Sequence, residues 1–180
     1  MSSLLWKSRE AKIIFKKSFT FLEKELDEQI LNDGCHYERS ASYHILLLEH
    51  IIDLSCILQF VKNDIPDWLI KIIIRMKKWV HTIRLSNGEF PRFNDSPFDI
   101  CLNIDEIIEY SDAFLYNRKY KRKGTKSFFI YLLNHNKKWK FKSFKENRLL
   151  KKKNEPLAYI LKDTGWIFLK EKKGFELVLK

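Results

Sequence analysis

Cysteine is scarce in this chain, with three among 180 residues. Cys35, Cys56 and Cys101 share no CxxC or Cys/His spacing, so neither a zinc site nor a disulfide framework is expected. Cys56 and Cys101 stand in apolar surroundings, ILLLEHIIDLSCILQF and PFDICLNI, and read as small core residues. The opening MSSLLWKSREAK has no basic stretch leading into an apolar one, which argues against a signal peptide. No run approaches the ~18 apolar residues of a membrane-spanning helix. As written, the chain is expected in the cytoplasm, or in the periplasm if its true N-terminus lies upstream. Acids are nearly missing between Arg118 and Lys153, where 15 Lys or Arg stand against one acid, Glu146. That stretch carries +14 while the whole chain carries +11, so the remainder sums to −3. The basicity is local, and a polyanion is the partner class it suggests.

Apolar residues make up 45% of the sequence, with 14 Phe, 7 Tyr and 5 Trp, which is ample for a core and speaks against general disorder. The length suits one domain, or one domain with the start of a second. Four helical segments come first. From Ser8 to Leu31, Ile13, Ile14, Phe21, Leu22, Leu26 and Ile30 recur at mixed three- and four-residue steps. Asn32-Asp33-Gly34 then breaks the helix. Ser40 or Ser42 caps the second, SYHILLLEHIIDLSCILQFVK, which is apolar nearly all round and therefore predicted to be central and buried. Pro66, in a first-turn position, opens the third, with Trp68, Ile72, Ile73, Met76, Trp79, Val80 and Ile83 as its buried stripe. Asn87-Gly88 ends it, and a fourth helix runs from Asn103 or Asp105 to about Phe114.

After Tyr116 the character changes. The basic stretch has weak periodicity and reads as a connector. From Leu157 the pattern is β: AYIL, GWIFL and FELVL, with Glu171-Lys172-Lys173-Gly174 as a hairpin turn. The predicted organisation is mainly α, with a helical domain over 1–117, a basic connector over 118–156 and a short β-element over 157–180. Trp166, Phe168, Phe175 and Leu177 have little chain to cover them, so poorly anchored strands are expected.

The chemistry gathers in DGCHYERSASYH, Asp33 to His44, where a loop enters the buried helix. The segment holds Asp33, His36, Glu38, Arg39, Tyr43 and His44. A helix start fixes side chains and offers unpaired N–H groups to an anion. That set suits β-elimination from a uronic-acid sugar. The proton at C5 is poorly acidic and needs a positioned base, for which Tyr and His are suited. The sugar carboxylate must be neutralised as the enolate develops, which Arg, His or Asn can do.

The stretch EKELDEQILNDGCHYERSASYHILLLEHIIDL resembles the helix–loop–helix pattern of the heparinase II/III-like polysaccharide lyases. NGEFPRFNDS is similar to a later turn of that family, and DTGWIFLKEKKGFELVL to the opening strands of its β-sandwich. Cys35 stands where a second glycine is usual, and Ala41 where proline is usual. The resemblance implies a partial (α/α) toroid of antiparallel helices followed by the start of a β-sandwich. The implied substrate is an acidic polysaccharide, cleaved by elimination without a cofactor. It implies Tyr43 as catalytic acid or base, with His36 and Arg39 beside it, and Glu38, His44, Asn94 and Asp95 as substrate-binding positions. In the family, further helices and the rest of the sandwich carry other groups of the site. The chain is therefore expected to show little or no cleavage alone, a second polypeptide being one source of the remainder.

Other readings stay open. Glu49, His50 and Asp53 on the second helix form a polar stripe without a third His or Cys, so no metal is expected. Asn94-Asp95 suits a turn cap as well as a sugar contact. The basic run suits a solvated connector as well as a polyanion grip. A non-catalytic polyanion or nucleic-acid-binding helical protein is the alternative function, although no recognition-helix, RRM, KH or zinc signature supports specific nucleic-acid binding.

Overall fold

Ser8 starts the first helix, α1 (Arg9–Gln29), by accepting the Ala11 N–H at 3.1 Å. The computed structural model describes residues 8–62, 64–97, 99–120, 157–171 and 176–180. Helix α1 buries only Ala11 and Leu26, with Phe15, Phe19 and Leu22 packed partly against the core. Ile13, Ile14 and Phe21 are exposed, contrary to the stripe expected of them. The physical reason is that, among the described residues, α1 packs mainly on α3, and so needs only a narrow apolar face there. It ends two residues before Leu31, because Ile30 turns extended and bridges to His36.

Helix α2 (Ala41–Lys62) is the centre of the core, packed by both α3 (Asp67–Ile83) and α4 (Ile104–Tyr116). Its residues 41–61 are long and apolar enough to cross a membrane, by length and composition alone. Here half of that window is buried inside the protein, and Glu49 and Asp53 interrupt it. Pro66 caps α3 from just outside the helix, one position earlier than expected. The α3 stripe is buried as expected, although Trp68 is only partly covered. Asn103 and Glu106 form a reciprocal capping box that fixes the start of α4.

Three antiparallel strands follow, in the order β1 (Leu157–Leu161), β2 (Trp166–Lys170), β3 (Glu176–Leu179). The chain is thus mainly α with a short C-terminal β-element, as expected. Residues 121–156 and 172–175, hence most of the basic run and the expected hairpin turn, lie outside the described residues.

The sheet has two unlike faces. Trp166 and Phe168 point into the helical core and are fully buried, with Trp166 ringed by Trp79 at 5.5 Å and Phe93 at 5.0 Å. This corrects the expectation of poorly anchored strands for Trp166 and Phe168, which the helices themselves cover; Leu177 is exposed as expected, and Phe175 lies outside the described residues. Glu176 strengthens the seat by accepting the Ser86 N–H and O–H at 2.7 and 2.8 Å, and the Lys170 ammonium donates to the Arg84 carbonyl. The register puts Ile160, Ile167 and Leu179 in one row and Leu169 with Leu177 in the next, all on the opposite face. Those five are exposed, Ile160 at 65%.

Candidate active site

The loop between α1 and α2 is held by its own backbone. Leu31 N–H donates to Cys35 O, Gly34 N–H to Leu31 O, and Tyr37 N–H to Gln29 O, all between 2.8 and 2.9 Å. Gly34 has φ +96°, and a Cβ there would lie 2.4 Å from the Arg75 carbonyl oxygen. Only glycine fits that close, left-handed position. Ser40, rather than Ser42, caps α2: its Oγ accepts the Tyr43 N–H at 3.3 Å. Ser42 instead donates to Pro97 O at 3.0 Å.

The later turn is laced onto this helix start. Ser40 Oγ donates to Asp95 O at 2.6 Å, and Ser96 Oγ accepts the Ala41 N–H at 3.1 Å. Asn94, at φ +56°, gives its amide N–H groups to Glu38 O and Arg39 O, each at 3.0 Å. Its carbonyl accepts from the Lys180 ammonium, next to the end of β3. Arg39 also takes a left-handed conformation, φ +55°, a strained position for a side chain of its size. On the exposed side of this junction the Tyr43 hydroxyl donates to Asp95 Oδ2 at 2.9 Å. That hydrogen bond, and then the charge of Asp95, holds the Tyr43 phenol above its ordinary pKa, so it stays protonated.

Behind the loop the polar groups are sealed. His44 is 0% exposed. Its Nδ1 accepts the His36 N–H at 3.2 Å, which leaves Nε2 to carry the proton and donate to Met76 O at 3.2 Å. Burial pushes its pKa down to about 3, so it is a neutral ring, tilted against Trp79 with centroids 4.4 Å apart. Trp79 Nε1 donates to Thr164 Oγ1 at 3.1 Å. Thr164, in the β1–β2 turn, gives both its N–H and O–H to Asp33 Oδ2, at 2.7 and 2.8 Å. The other Asp33 oxygen accepts the Cys35 N–H at 3.1 Å. The β1–β2 turn therefore clamps the start of the loop.

Of the residues singled out in the sequence, the structure brings Tyr43, Asp95, Asn94, Glu38 and Arg39 together at the surface. It does not bring His44 there; the ring lies under the loop with both nitrogens engaged. His36 is nearly buried against Tyr37, at 4.6 Å, and burial lowers its pKa. Cys35 and Cys56 are sealed and Cys101 half-buried, all three as free thiols. Among the described residues no group of three His, Cys, Asp or Glu forms that could hold a metal ion. Sequence reasoning missed Thr164 and Trp79 as supports of the loop. The signal available was the Asp-Thr-Gly-Trp turn at 163–166, polar at its centre between apolar strands.

Fold and site together define a helical scaffold whose loop–helix junction presents a tyrosine, carboxylates and a cation, with a small sheet seated beside it. The family model of the heparinase II/III N-terminus matches residues 7–122, spanning the four described helices and both loops of the junction. The chain belongs to that family. No curated protein and no solved structure matches it.

Proposed function

We propose that this junction is the proton-transfer part of an eliminative lyase site for a uronic-acid-containing, acidic polysaccharide, with the four helices forming an arc of an (α/α) toroid. The observation that carries the reading is the Tyr43–Asp95 hydrogen bond at 2.9 Å on the exposed side of the junction. A phenol held protonated is suited to act as an acid toward the leaving sugar oxygen. In this reading the Asp95 carboxylate receives the C5 proton. Arg39 pairs with the sugar carboxylate and stabilises the enolate that develops. As the C4–oxygen bond breaks, Tyr43 protonates the departing oxygen and a C4=C5 double bond forms. The proton on Asp95 then returns to the Tyr43 oxygen along the same hydrogen bond, and the site is restored.

In this reading Glu38 accepts from sugar hydroxyls, while Asn94 shapes the loop because its amide is spent on Glu38 O and Arg39 O. His36 and His44 support the loop as neutral rings. A second polypeptide that covers the apolar outer face of the sheet, around Ile160 and Leu179, is the partner the reading calls for. The test compares a uronate polymer with the same polymer after reduction of its carboxyls. Unsaturated, ultraviolet-absorbing ends are expected only from the first. Equal product from both would remove Arg39 from its role and the uronate from the proposal.

A further inference from the structure

A second concave surface lies between α1 and α3 and shares no residue with the Tyr43 junction. It encloses about 550 Å³, within the range of small-ligand sites. One wall presents Glu23, Lys24 and Asp27 from α1, and the other presents Trp68, Lys71 and Arg75 from α3. The α3 residues are spaced three and four apart, so they share one helix face over roughly 10 Å. Trp68 is steadied by Phe19, with ring centroids 5.4 Å apart. Arg75 is pinned at one edge, where Nη2 donates to Ile30 O at 3.2 Å and its buried Nε has no hydrogen-bond partner among the described residues. Lys71, Lys24, Glu23 and Asp27 are exposed at the rim.

The mixture narrows the ligand class. Two carboxylates in the lining would repel a polyphosphate, and three cations are more than a neutral sugar requires. A monoanionic sugar residue uses all the groups at once. Its carboxylate meets Lys71 and Arg75, its hydroxyls donate to Glu23 and Asp27, and its apolar ring face lies on the Trp68 indole.

We propose that the α1–α3 groove is a second binding site for a uronic-acid residue of an acidic polysaccharide, holding the chain away from the reacting bond. The choice of polymer rests on the substrate class proposed above; the groove itself does not depend on Tyr43.

The test uses the full 180-residue chain, a glucuronate-containing tetrasaccharide, its carboxyl-reduced counterpart, and inorganic phosphate. Hydrogen exchange in the wild-type chain is expected to slow at residues 20–27 and 68–75 when the uronate tetrasaccharide is added. Lys71→Glu, at an exposed position that folding tolerates, is expected to weaken its binding about tenfold, the worth of one charge-assisted hydrogen bond. Lys162→Glu, an exposed charge in the β1–β2 turn outside both the groove and the Tyr43 junction, is expected to leave that affinity unchanged. Protection confined to residues 36–44 and 93–97, equal binding of the reduced sugar or of phosphate, or an unaltered affinity in Lys71→Glu would each overturn the proposal. Binding at the groove with no elimination even after a polypeptide covering the outer face of the sheet is added would sink the catalytic reading alone.

Discussion

Asp33 and Tyr43 belong to the same short segment, yet the fold turns them to opposite uses. Asp33 faces inward and spends both oxygens on the chain itself, taking Cys35 with one and Thr164 with the other. Tyr43 faces outward and has one partner, Asp95, at a place where a ligand can reach both. The inner set, Asp33, His44, Trp79 and Thr164, is satisfied and rigid; the outer set, Tyr43, Arg39, Glu38 and Asp95, is open. A motif rich in titratable residues is therefore not one site. Half of it is the mount for the other half.

The inner side should break hardest. Gly34→Ala forces a methyl to 2.4 Å from the Arg75 carbonyl in a left-handed backbone. A loss of about 3 kcal/mol in unfolding free energy is expected from denaturant melts. Thr164→Val keeps the shape but leaves Trp79 Nε1 buried without an acceptor and takes one donor from Asp33. It should cost about 2 kcal/mol and speed hydrogen exchange in β1 and β2.

A pH effect of intermediate size is expected away from the loop. Glu49 on α2 is half-buried, and burial first, then the charges of Asp53 and Glu106, push its carboxyl up to about 7 from 4.5. Below 4.5 the group is neutral in both states and costs nothing. Between 4.5 and about 7 the unfolded chain releases the proton that the folded chain retains, so stability falls as pH rises. Glu49→Gln should match the wild type near pH 4 and exceed it by about 1 kcal/mol near pH 8, after allowance for solvent screening. A constant difference across that range would show that Glu49 does not titrate in this way.

The outer side should barely register in stability. Tyr43→Phe is expected to change unfolding free energy by less than about 0.5 kcal/mol. Asp95→Asn should bring the Tyr43 phenol back down toward its ordinary titration range, followed by ultraviolet difference spectra. An unmoved titration would mean that Asp95 is not what holds the proton on Tyr43.

Much of the scaffold was legible in sequence because helices announce themselves by period. The α3 stripe and the Asn103 cap are where pattern placed them. The α1 stripe was misjudged, since Ile13, Ile14 and Phe21 fit the period but are exposed, α1 packing mainly on α3 among the described residues. The seating of the sheet was illegible for another reason: the bonds that make it join Thr164 to Trp79 and to Asp33, 85 and 131 residues apart. No local pattern carries such pairings. The gathering of Tyr43 with Asp95 was legible only as two similar motifs; that one donates to the other needed coordinates. The split between His44 and Tyr43, adjacent in sequence, follows from helix geometry, which points neighbouring side chains about 100° apart.

The central claim, that the outer half of the segment moves protons while the inner half only supports it, rests most directly on one comparison. Wild type and Tyr43→Phe are given a uronate polymer, alone and with a second polypeptide that covers the outer face of the sheet, and unsaturated product is followed by ultraviolet absorbance. Sparse product is expected from the chain alone and more in the second arm. In both arms Tyr43→Phe should lower the rate about 100-fold with the fold intact, the usual worth of a positioned acid. Product from Tyr43→Phe at the wild-type rate would contradict the account.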